Sequence, residues 1–151
     1  MAAADRDGGA VVSDAPSLSP FAIRVLIAGA LIIVPVVMAI EFPIHLGQRD
    51  ETGLMVSWIA TPIAANLLAS AFGSSRKRHL LIAFIASAVI AVTIGVVTRV
   101  MWQLAAGEWM LQKAGIVNMI VFISVIGEVI AATILALLLT ARPTRADESA
   151  S

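Results

Sequence analysis

The sequence predicts an all-α, polytopic membrane protein, an antiparallel bundle of four transmembrane helices with a short interfacial helix between the third and fourth spans. Three observations point there. Hydrophobic residues make up 60% of the 151-residue chain and charged residues 13%, with a mean hydropathy of +0.97, outside the usual soluble balance. The apolar residues gather into four stretches, 21–42, 53–72, 80–101 and 116–139, each meeting the ~20 residues a helix needs to cross hydrocarbon. What lies between them is short and polar, too small for a separate catalytic or sensing domain.

Residues 1–20 read as a flexible tail: they are mostly small and polar, with Gly8, Gly9 and Pro16, and bury too little surface to offset chain ordering. Asp5, Asp7 and Asp14, and the length of the apolar stretch that follows, argue against a cleaved signal peptide, so the first span is expected to be retained. Ser19 and Pro20 form a helix-start signal, a hydroxyl cap before a proline whose missing N–H is not needed at the first helical position. Arg24 lies one turn inside the first span, where its stem can snorkel to the headgroups. Pro35 and Pro62 predict kinks in the first and second spans, because each removes one backbone hydrogen bond.

An outer loop is expected from Pro43 to Thr52. Arg76, Lys77 and Arg78 occupy the tight connection between the second and third spans, and cytoplasmic loops are enriched in such residues. With four spans both termini share that side, and a bacterial inner membrane is the expected host. After the third span, Trp102, Ala105, Ala106 and Trp109 recur at helical spacing, which predicts the short helix lying in the interface. With Trp58 they place all three tryptophans at one water boundary, as an aromatic belt. Residues 140–151 form a second flexible tail.

Ten basic and ten acidic residues cancel, which removes any bulk positive field for nucleic acid. The absence of cysteine excludes a disulfide framework and thiol chemistry. His45 and His79 fall on opposite sides of the membrane and cannot share a metal or haem, so no cofactor or metal site is expected. No P-loop, nucleophile elbow, dinucleotide fingerprint or zinc-helix spacing occurs. An enzyme is disfavoured, since no nucleophile or acid–base pair stands at workable spacing.

Small residues recur every fourth position on three spans, which lines them along one stripe of each helix. The stripes are Ser57, Thr61, Ala65, Ala69 and Gly73; then Ala83, Ser87, Ala91 and Gly95; then Ser124, Glu128, Ala132 and Ala136. Small side chains let helices approach closely in lipid, so these stripes are the expected packing faces.

Glu128 interrupts the apolar run of the fourth span on its small-residue stripe. An ionisable group there costs about 2.5–3.5 kcal/mol on insertion scales and invites a functional explanation. Its stripe turns it inward, and depth counting makes Asn66, Thr61 and Thr93 its expected polar neighbours. None is cationic, so the expected form is a neutral, hydrogen-bonded carboxyl. Glu41 and Arg99 match in depth near the outer ends of their spans and form a candidate ion pair.

Two functions fit these residues. One is a small transporter or channel, coupled to a proton or cation through the Glu128 carboxyl. The other is a non-catalytic accessory or assembly subunit whose small-residue faces dock on a partner. The expected partners are the lipid bilayer and either a second copy or another membrane protein.

Overall fold

Apolar stretches of this kind satisfy their backbone polar groups internally, and a helix does so within one segment. The computed structural model describes residues 18–46, 51–106 and 114–141, and all four regular elements there are helices. They are α1 (Pro20–Leu46), α2 (Thr52–Phe72), α3 (Arg76–Ala106) and α4 (Ala114–Thr140). Each is long and apolar enough to cross a membrane. Residues 1–17, 47–50, 107–113 and 142–151, which carry most of both predicted tails, part of the outer loop, and Trp109, lie outside the described residues.

The helices overrun the apolar windows that announced them. α1 continues through Pro43, where composition predicts a loop, and α3 takes Arg76, Lys77 and Arg78 into its first turn. An apolar window ends at the first charge, but backbone hydrogen bonding does not. Gly95 is the sole glycine and no proline interrupts the 31 residues of α3, about 46 Å at 1.5 Å per residue.

The short interfacial helix is absent among the described residues. Trp102 to Ala106 are instead the last turn of α3. Trp102 is fully buried against Leu54 and Val117, so burial between helices overrides the belt position its composition suggested.

Packing is organised around α2 and α3, which touch each other and both remaining helices, whereas α1 and α4 do not meet. Half of the apolar window of α2 is buried, against roughly a fifth in α4 and less in α1. Neighbouring ends pair consistently. Phe21 meets Phe72 edge-on at 5.2 Å, and Gly53 lies so close to α1 that a Cβ there would stand 2.7 Å from the Ala39 nitrogen. At the other end of the α2, α3 and α4 trio, Ala69, Ala83 and Ala136 form one buried contact.

Local signals set the ends. The Ser19 hydroxyl accepts from the Ala22 amide at 3.2 Å, capping α1. Arg24 donates to the Ser70 carbonyl at 3.1 Å, one of the last four of α2 that no helical amide serves. A cation at a helix C-terminus is also favoured by the helix dipole. Arg24 therefore ties α1 to α2 as well as reaching toward the end of its own helix.

Candidate functional site

The three small-residue stripes lie in the interior: Ser57, Thr61, Ala65 and Ala69 on α2, Ala83, Ser87, Ala91 and Gly95 on α3, and Ser124, Ala132 and Ala136 on α4 are all buried. Glu128 shares the α4 stripe and is 1% exposed. The carboxyl is buried where α4 packs on α2.

One carboxyl oxygen is fully engaged. Ser57 donates to Glu128 Oε1 at 2.6 Å, and Ser124 donates to the same atom at 3.2 Å. Ser124 is oriented for this by Trp58, whose indole Nε1–H donates to the Ser124 oxygen at 2.7 Å and leaves the hydroxyl hydrogen for the carboxyl. The indole fits because residue 127 is glycine: a Cβ there would run into the ring. Trp58 and Gly127 thus form a wedge and notch that set α2 against α4 beside the carboxyl.

Ser57 has one hydrogen and two acceptors, since its oxygen also lies 2.7 Å from the Leu54 carbonyl. With Glu128 ionised, the hydrogen serves the carboxylate, and Leu54 retains its place in the helical ladder. With Glu128 neutral, the hydroxyl turns to Leu54 and accepts the carboxyl proton. Both protonation states are accommodated by rotating one hydrogen, without moving a heavy atom.

The second carboxyl oxygen differs. Among the described residues Glu128 Oε2 has no hydrogen-bond partner, and neither has the buried Thr61 hydroxyl, which stands beside the carboxyl without hydrogen-bond geometry to it. Two unsatisfied buried oxygens in one place are costly, and such groups in a folded interior call for an explanation.

Asn66 and Thr93 are placed differently from Thr61. Asn66 is buried, but its amide hydrogens go to the Pro62 carbonyl at 2.9 Å and the Ala132 carbonyl at 3.2 Å, one turn along α4 from Glu128. These two acceptors fix the amide orientation, leaving Oδ1 for His79 Nε2 at 3.3 Å. His79 Nε2 therefore carries a hydrogen. Thr93 is exposed and donates to Val89 on its own helix, so it is not a neighbour of Glu128. Depth alone suggested it, but two positions from Ala91 turn it about 200° away from the buried stripe.

Arg99 donates to Asn118 at 2.8 Å and to Gln103 at 2.7 Å, while Glu41 is exposed on α1. The cradle of Glu128 contains only neutral groups. Among the described residues, no three His, Cys, Asp or Glu side chains converge as a metal site would require.

Clefts approach the α2/α4 seam from both ends. One, of about 250 Å³, reaches Trp58 and Ser124 from the Glu51 end. The other, of about 360 Å³, lies between Ile63 and Leu139 and is walled by Asn66, Ser70 and His79. Three residues around the carboxyl and its clefts are not legible in the sequence as site residues. Ser57 was visible only as a small packing residue, Trp58 as a belt residue and His79 as a loop histidine. The first did carry a signal, because Ser57 and Thr61 share one stripe. His79 carried none, since its meeting with Asn66 depends on how the short turn after α2 folds α3 back.

No protein-family model, curated protein or solved structure matches the chain.

Proposed function

We propose that this is a small integral membrane transporter in which Glu128 takes up and releases a proton. Its four helices form an antiparallel transmembrane domain with both termini and the Arg76-Lys77-Arg78 turn in the cytoplasm of a bacterial cell and the helices in its inner membrane. The end-to-end contacts of α1 with α2 and of α2 with α3 support the antiparallel order. Among the described residues, Arg24, Arg76, Lys77 and Arg78 at one end, against Arg99 at the other, support the orientation.

The observation that carries the transport reading is the asymmetric cradle of Glu128. Its Oε1 is held by two hydroxyls, of which Ser57 serves either protonation state, while Oε2 has no partner among the described residues and the Thr61 hydroxyl stands near the carboxyl. The two clefts give the seam an approach from each side, with Trp58 closing one and the Asn66–His79 pair standing in the other. Imidazole can pass a proton between its two nitrogens, which suits His79 to the cytoplasmic approach.

The accessory-subunit alternative relied on small-residue faces free to dock on a partner, and the burial of those stripes within this chain weighs against it. The test is proton flux into proteoliposomes carrying an internal pH dye. Glu128→Gln, which keeps the shape and a hydrogen-bonding side chain, is expected to abolish pH-driven flux while the protein still purifies folded. Equal flux from the variant and the parent would overturn the reading. Uptake driven by a monovalent cation gradient and indifferent to pH would replace the proton with that cation.

A further inference from the structure

α3 and α4 enclose a second feature, away from the carboxyl: a lateral groove of about 350 Å³. Its floor is Gly95, where an added Cβ would stand 2.9 Å from Val121 and 3.2 Å from Val125. Valines from both helices and Phe122 make the walls, and Val92, Val96, Val100 and Phe122 leave its mouth open to the surroundings. From Val92 to Arg99 the groove runs about 10 Å along α3, at 1.5 Å per residue.

One end of this apolar groove is polar, at Arg99 and Asn118. Arg99 Nε–H donates to Asn118 Oδ1 at 2.8 Å and one Nη1–H donates to Gln103 Oε1 at 2.7 Å. A guanidinium has five N–H donors, so these bonds leave three of them over. Because both amides turn their oxygens to Arg99, their NH2 groups point away from it. What the rim offers is therefore the three remaining guanidinium N–H donors, on a full positive charge whose bonded acceptors among the described residues are neutral. That is the complement of an anion, and the fork of a guanidinium matches a phosphate in particular.

We infer that the α3/α4 groove binds one anionic phospholipid from the bilayer, its phosphate on the free N–H groups of Arg99 and one acyl chain along Gly95. A hydrated free anion would use the rim and leave the groove unfilled, whereas an uncharged chain would leave the rim unmatched. A zwitterionic lipid brings its own cation to the phosphate and gains less from Arg99. The inference rests on the membrane placement proposed above and is independent of proton exchange at Glu128.

Native mass spectrometry of the full chain, released from mild detergent with phosphatidylglycerol or phosphatidylcholine of equal chain length, tests it. The parent protein is expected to retain one phosphatidylglycerol in preference to phosphatidylcholine. Arg99→Gln should reduce that preference about fivefold, the factor for one basic side chain at an anionic headgroup. Val96→Trp, at an outward-facing position, should block the groove and weaken retention of both lipids. Glu128→Gln should leave retention unchanged.

An undiminished preference in Arg99→Gln, or full retention in Val96→Trp, would overturn the inference. So would displacement by inorganic phosphate with no dependence on acyl-chain length, which would mark a free-anion site. A chain that proves soluble without detergent would instead defeat the membrane placement itself, so the two failures are distinguishable.

Discussion

Adding one methyl group at Gly127 sets two opposite effects against each other. In a helix interior Gly→Ala is ordinarily stabilising by about 1 kcal/mol, because alanine loses less backbone entropy. Here the new Cβ would meet the Trp58 indole, with Cζ2 and Cζ3 each at 3.0 Å. Relief requires either overpacking, which costs about 1–3 kcal/mol, or an outward swing of the ring. The swing breaks the 2.7 Å Trp58–Ser124 hydrogen bond, worth about 0.5–1.5 kcal/mol, and exposes ring surface now held on α4. The clash outweighs the propensity gain, and Gly127→Ala is expected to destabilise the protein by up to about 2 kcal/mol. Thermal unfolding in detergent, followed by tryptophan emission, measures it. In a Trp58→Leu background the obstruction is gone, and the same substitution should then stabilise by about 1 kcal/mol. A stabilising Gly127→Ala in the parent, or the same sign in both backgrounds, would refute the wedge.

Asn66→Leu removes the two donors to the Pro62 and Ala132 carbonyls and the acceptor of His79. Interhelical hydrogen bonds of this kind are worth about 0.6–2 kcal/mol in membrane proteins, and a loss of that size in thermal unfolding is expected. Arg24→Ala should fray the end of α2 by freeing the Ser70 carbonyl, at a cost of about 0.3–1 kcal/mol. Hydrogen exchange should quicken in the last turn of α2 and stay unchanged around Ser57; uniform quickening would contradict a local cap.

The helix ends show where local composition stops being informative. Charges at Arg76, Lys77 and Arg78 end an apolar window, yet they extend α3 without interruption. Trp102 looked amphipathic by its neighbours in sequence, but Leu54 and Val117 from other helices enclose it. Around Glu128 the sequence offered residues of similar depth, which is one coordinate of three. Thr61 lies beside the carboxyl, Asn66 lies one turn away by its Ala132 contact, and Thr93 is on an exposed face.

The sequence by itself determined that the chain makes four helices long and apolar enough to cross a membrane, since that follows from composition summed over some 20 neighbouring residues. It also singled out Glu128, because an ionisable group in an apolar run is conspicuous without coordinates. Only the tertiary structure decided what meets that carboxyl. The choice of Ser57 and Ser124 as its donors, the Trp58 wedge at Gly127 and the Asn66–His79 contact depend on how each helix is rotated about its axis. They depend equally on which helices adjoin, and here α1 and α4 do not touch. Rotation and adjacency are set by close packing of side chains from different segments, a property of the assembled faces that no single stretch of sequence carries.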